Sequence, residues 1–115
     1  MRFLPRISVP VHGLLELIAG LALIILAMLG DLGGAGTVLV FATGATLAGV
    51  GLGAIDALPL GFHQSLDRAL VVVASLAAIY VAVAGSALAA LILLTTAASV
   101  LLLEAGTHWT RPVSH

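Results

Sequence analysis

Apolar residues along this chain fall into four long runs, each closed by a short cluster of polar or turn-forming residues. The first runs from Val11 to Gly30 and ends at Asp31-Leu32-Gly33-Gly34. The second covers residues 35–55 and is closed by Asp56-Ala57-Leu58-Pro59-Leu60-Gly61. The third covers residues 64–84, and Gly85-Ser86 then makes a short turn into the fourth, 87–106. A polar tail with Pro112 follows from Thr107 to His115. Each run is ~20 residues, roughly 30 Å as a helix, which matches the apolar thickness of a bilayer. None alternates apolar with polar residues as a membrane strand must. The pattern predicts an all-α, integral membrane four-helix bundle forming a single transmembrane domain over 1–115.

Composition strengthens this reading. Of the 115 residues 62% are hydrophobic and 8% charged, against about 25% charged in an average soluble domain. Mean hydropathy is +1.29. The absence of cysteine removes disulfides, thiolate metal sites and thiol catalysis. Four arginines and no lysine against five acids give a net charge of -1, with no basic run for nucleic acid. One Trp and one Tyr supply no stacking platform for bases. Soluble-enzyme and nucleic-acid readings are thereby set aside.

Orientation follows from the arginines. Four spans put both termini and the loop between spans two and three on one side. Arg2, Arg6, Arg68 and Arg111 all fall there, whereas the opposite loops carry only Asp31. The positive-inside bias predicts that this side is cytoplasmic. The first run, longer than a signal-peptide core, carries Glu16 and lacks a terminal Ala-x-Ala, so it reads as a retained helix. Glu16 costs that span up to ~3 kcal/mol, while ten Leu and Ile residues between Leu14 and Leu29 return roughly 3–6 kcal/mol.

Sliding the chain by 51 positions sets His12 on His63, Leu15 on Leu66, Glu16 on Asp67, Ala27 on Ala78 and Gly34 on Gly85. His12-Gly-Leu-Leu-Glu16 and His63-Gln-Ser-Leu-Asp67 each open an odd-numbered span. The period predicts two tandem, parallel helical hairpins over 1–51 and 52–106. The pattern resembles the SPW-repeat family of small bacterial and archaeal membrane proteins, whose two-helix repeats open with His, two residues, Leu and an acid. The Ser-Pro-Trp signature is absent. Leu26-Ala27-Met28 and Ala82-Val83-Ala84 stand near its place. The resemblance implies a multi-pass protein of a prokaryotic plasma membrane and no established activity.

Nearly every ionisable group lies toward the cytoplasmic helix ends: His12, Glu16, Asp56, His63, Asp67, Arg68, Glu104 and His108. Spacing of i, i+4 puts His12 with Glu16, His63 with Asp67 and Glu104 with His108 on common faces. Three readings are open. The groups are interfacial ion pairs and caps, the acids favoured by helix dipoles and Arg68 reaching Asp56 or Asp67. Alternatively, His12 and His63 lie at similar depth and hold a haem or metal. Or Glu16 and Asp67 belong to an ion relay, although the rest of the spans offers only scattered hydroxyls. Ala45, Gly49 and Gly53, with Gly44 and Ala48 beside them, form a small-residue stripe on span two for close packing with another span, a second copy or a membrane-protein partner. Gly49-Val-Gly51-Leu-Gly53 lacks the spacing of a nucleotide loop. No nucleophile-base pair of recognised spacing appears. The expectation is a non-catalytic structural or accessory protein without metal or other cofactor, acting through packing in the lipid bilayer. The alternative is small-ligand, ion, haem or metal binding or transport in the polar layer.

Overall fold

A computed structural model describes residues 7–55 and 59–107. Four helices account for almost all of them: α1 (Val9–Leu29), α2 (Gly33–Ile55), α3 (Leu60–Val83) and α4 (Ala87–Gly106). All four are long and apolar enough to cross a membrane. Their bounds differ from the hydropathy runs mainly at α3. Leu60-Gly61-Phe62, which reads as loop, instead forms its first turn behind Pro59, so His63 lies inside the helix. At α1, the Ser8 hydroxyl accepts from the Val11 N–H at 3.4 Å and Pro10 lies in the first turn, where a missing N–H is harmless.

The two short turns rest on glycines at positive φ, Gly33 at 76° and Gly85 at 98°. The expected counterpart of Gly85 was Gly34; the left-handed residue is the one before it. The turns are joined to each other by Ser86, whose hydroxyl donates to the Leu32 carbonyl at 2.8 Å. At the opposite end the chain closes on itself, the Ile7 N–H donating to the Gly106 carbonyl at 2.9 Å. Both ends of the described chain therefore lie together, as an even number of spans requires.

α1 and α2 cross with their backbones in contact. A Cβ on Gly20 would stand 2.5 Å from Gly44 O and from Ala48 N, and one on Gly51 would stand 2.5 Å from Gly13 O. Gly13 and Gly20 thus face Gly51 and Gly44 in antiparallel order, seven residues apart on each helix. Gly44 and Ala48, which stand beside the stripe read from the sequence, make this contact, and Ala45, Gly49 and Gly53 do not. Ala45 and Gly49 are exposed, Gly53 is half-buried, and a Cβ on Gly49 would meet nothing within 4 Å. The physical reason is angular: one residue along a helix turns the face by about 100°. Gly44, Ala48 and Gly51 share the face that meets α1, and Ala45, Gly49 and Gly53 point outward from it.

Burial repeats along the chain. His12, Glu16, Leu23 and Ala27 in α1 match His63, Asp67, Ala74 and Ala78 in α3 at the same shift of 51. In the second helix of each pair the shift is 53: Gly36 with Ala89, Val40 with Leu93, Thr43 with Thr96, Leu47 with Val100. The change of register comes at the turn end, where α3, 24 residues long against 21 for α1, runs further. Gly36 lies against Ala89, so a Cβ there would fall 2.8 Å from the Ala89 methyl. The core is aliphatic, with Leu23, Val40, Leu47, Val81 and Leu93 at its centre. The outer surface is aliphatic too, with Ile18, Ile25, Met28, Val72, Leu76 and Leu102 all exposed.

Because Gly44 faces backbone and Gly49 faces outward, the same substitution should separate them. Gly44→Leu is expected to lower stability in detergent by about 1–3 kcal/mol through overpacking. Gly49→Leu should leave it unchanged within about 0.5 kcal/mol. Denaturant titration followed by circular dichroism checks both.

Candidate functional site

In α1 and α3 the histidine is the fourth residue of the helix and the acid the eighth, so each pair points from one face at one depth. That depth is past the first turn, beyond the reach of the helix dipole that the capping reading relied on. The two faces are turned toward each other. No pair of Cα atoms in α1 and α3 lies within 8 Å among the described residues, so the helices meet through these side chains. His12, Glu16, His63 and Asp67 are each at most 1% exposed.

The pairing is crossed. His12 Nε2 lies 2.8 Å from Asp67 Oδ2, and His63 Nε2 lies 2.9 Å from Glu16 Oε1. The i, i+4 contacts read from the sequence are present but longer, at 3.2 Å for His12–Glu16 and 3.3 Å for His63–Asp67. Nitrogen and oxygen thus alternate around a four-membered ring whose every edge joins an imidazole to a carboxylate. The two imidazoles stand edge to face, centroids 5.2 Å apart and planes at 75°. With both acids at their Nε2 edges, the rings leave no slab between them for a porphyrin.

A fifth residue sets the chemistry of the ring. Thr107 donates its hydroxyl proton to the Leu103 carbonyl at 2.5 Å. Its oxygen therefore accepts from His12 Nδ1–H, 2.6 Å away. His12 Nε2 then faces Asp67 with either a second proton or a bare lone pair. A bare lone pair against a carboxylate is repulsive, so a proton, on the imidazole or on the acid, or a metal ion has to lie between the two. The outer oxygens Glu16 Oε2 and Asp67 Oδ1 are buried without a hydrogen-bond partner. Leaving carboxylate oxygens dry and unsatisfied is costly unless a charge nearby compensates.

The remaining polar residues do not join the ring. Arg68 Nε donates to Glu104 Oε1 at 2.8 Å, tying α3 to α4 rather than reaching Asp67. Its side chain is 70% exposed. Asp56 and His108 lie outside the described residues. Four of the spans' hydroxyls bond back to their own helices: Thr46 to Ala42 O, Ser75 to Val71 O, Thr96 to Ile92 O, Ser99 to Thr95 O. A crevice between α1 and α4 runs beside Glu16; its lining is mostly aliphatic, with Thr95, Thr96 and Ser99 the other polar residues along it. Sequence reasoning missed Thr107, which reads as the first residue of a polar tail, and nothing in its local pattern marks it as a partner of His12.

No known protein family, curated protein or solved structure matches this chain.

Removing one member of a buried charged set strands the others, at a cost of about 3–5 kcal/mol. Asp67→Ala is expected to lose that much stability, and Arg68→Ala, which removes a mostly exposed side chain from buried Glu104, clearly less. The two variants are compared with the parent by the same denaturant titration.

Proposed function

We propose that this chain is a four-span membrane protein whose crossed His/carboxylate ring binds one divalent metal cation and thereby clasps two helical hairpins together. The observation that carries the reading is the alternating ring itself: two imidazole nitrogens and two carboxylate oxygens, buried, with edges of 2.8–3.3 Å. Two carboxylates bring a formal charge of about -2 into an apolar bundle, and charges so placed are paired or coordinate metals. Arg68, the nearest guanidinium in sequence, is already held by Glu104. One divalent ion restores neutrality. The role we propose is non-catalytic: the four donors are each at most 1% exposed, and the crevice beside Glu16 is mostly apolar.

The rest of the reading concerns setting. The chain lies in the plasma membrane of a prokaryote with both termini cytoplasmic, the arginine asymmetry supporting that direction. The two hairpins descend from one duplicated unit, akin to the SPW-repeat proteins; the matched burial of His12 with His63 and Glu16 with Asp67 supports this. A second reading is favoured by the completeness of the ring. With both imidazoles protonated it closes through hydrogen bonds alone, and the centre is then a purely structural latch.

Elemental analysis separates the two. Protein purified in mild detergent without chelator is expected to carry one equivalent of a divalent metal per chain. After chelation, adding the metal back at a hundredfold excess over Kd should restore about 2.7 kcal/mol of stability. A Glu16→Gln/Asp67→Asn double variant should show neither. A metal-free chain whose stability ignores every divalent ion offered would leave only the latch. Orientation has its own test, since the chain has no native cysteine. An impermeant maleimide applied to intact cells should label Asp31→Cys and spare Ser8→Cys until the membrane is opened.

A further inference from the structure

We infer that the ion held by His12, Glu16, His63 and Asp67 is a four-coordinate, borderline transition metal of the Zn²⁺ class, and that Thr107 positions His12 to bind it. This rests on the cation reading above and names the ion's chemical class.

Donor type and number come first. The ring presents two imidazole nitrogens and two carboxylate oxygens, one atom from each residue, all within 4.8 Å of one another. Imidazole suits Zn²⁺ and its neighbours, whereas Mg²⁺ and Ca²⁺ select oxygen-only shells. Ca²⁺ takes 6–8 oxygens and Mg²⁺ keeps several waters in an octahedron. Neither is accommodated by side chains at most 1% exposed to water. The outer oxygens of Glu16 and Asp67 are the nearest further donors, and both belong to acids already counted. With no cysteine in the chain, thiolate-preferring ions lose their usual ligand.

Size points the same way. Ligand bonds of 2.0–2.1 Å in a tetrahedron imply ligand–ligand edges of about 3.3–3.4 Å. The four nitrogen–oxygen edges measure 2.8, 2.9, 3.2 and 3.3 Å. Opening the ring by about half an ångström on its shorter edges brings four of the tetrahedron's six edges to that length, and the other two, nitrogen–nitrogen and oxygen–oxygen, lie within 4.8 Å. Carbonyl-lined or hydrated shells for larger ions would require the helices to part.

The outer support is built as well. Metal-bound imidazoles hand their other N–H to a fixed acceptor, which sets the tautomer and aims the ring. Thr107 supplies that acceptor for His12 Nδ1–H at 2.6 Å, its own proton committed to Leu103. The arrangement leaves Nε2 as the ligand atom, on the side facing both acids.

Cobalt(II) chloride is the probe, added to the chelator-treated full chain in detergent. The expected result is one equivalent bound with the intense visible bands of a four-coordinate ion. Zinc sulfate should displace it stoichiometrically, and a thousandfold excess of magnesium or calcium chloride should not. Thr107→Val should weaken cobalt binding about 10–100-fold with the band shape kept, and Thr107→Ser should restore it. Weak six-coordinate bands, or displacement by magnesium or calcium, would overturn the metal class while leaving a cation site. Cobalt affinity unchanged in Thr107→Val would overturn the role of Thr107. Failure of all four ions to bind would overturn the cation reading beneath this one.

Discussion

Two carboxylates buried in an otherwise aliphatic bundle are the constraint on which this structure turns. Glu16 and Asp67 cannot be left as isolated charges, and the chain answers with a histidine one turn before each. Their own-helix partners lie at 3.2 and 3.3 Å, while the partners across the bundle lie at 2.8 and 2.9 Å. Charge neutralisation is therefore distributed between α1 and α3, and neither helix satisfies its acid alone. A positive charge at the centre, whether shared protons or a metal ion, is what makes four polar side chains tolerable there.

This division assigns different work to the two helices of each hairpin. α1 uses one face, Gly13 and Gly20, to meet α2 backbone to backbone, and an adjoining face to present His12 and Glu16. In the second hairpin the corresponding contact is looser and polar. At the register that pairs α2 with α4, Gly51 corresponds to Glu104, which holds Arg68. At this register the first hairpin is closed backbone to backbone, whereas the second carries an ion pair beside its aliphatic core. The turn end is fixed by Gly36 against Ala89 and by the bond from Ser86 to Leu32, which leaves the polar end as the place where α1 and α3 converge.

Much of this was legible in the sequence, and the limits have physical causes. Four helices follow from run lengths and from the missing alternation. The face shared by His12 and Glu16, and by His63 and Asp67, follows from helical periodicity. What periodicity does not encode is the azimuth of one helix relative to another, so the crossed partnership and the mutual approach of the two imidazoles were out of reach. The same gap explains the glycines: Ala45-Gly49-Gly53 and Gly44-Ala48-Gly51 are equally small in composition, and only the direction of α1 decides between them. Thr107 belongs to a contact 95 residues away in sequence, which no local pattern marks. Pro59 and Gly61 read as a loop in the sequence, whereas in the structure Pro59 stands just ahead of the first turn of α3 and exposed Gly61 is accepted within it.

The most direct test of the central claim is anomalous diffraction at the zinc edge from crystals of the zinc-loaded, full-length chain. A single strong peak is predicted between α1 and α3, about 2.0–2.1 Å from His12 Nε2, His63 Nε2 and one oxygen each of Glu16 and Asp67. An anomalous map with no peak among these four side chains, or with zinc held only at the chain's surface, would contradict it.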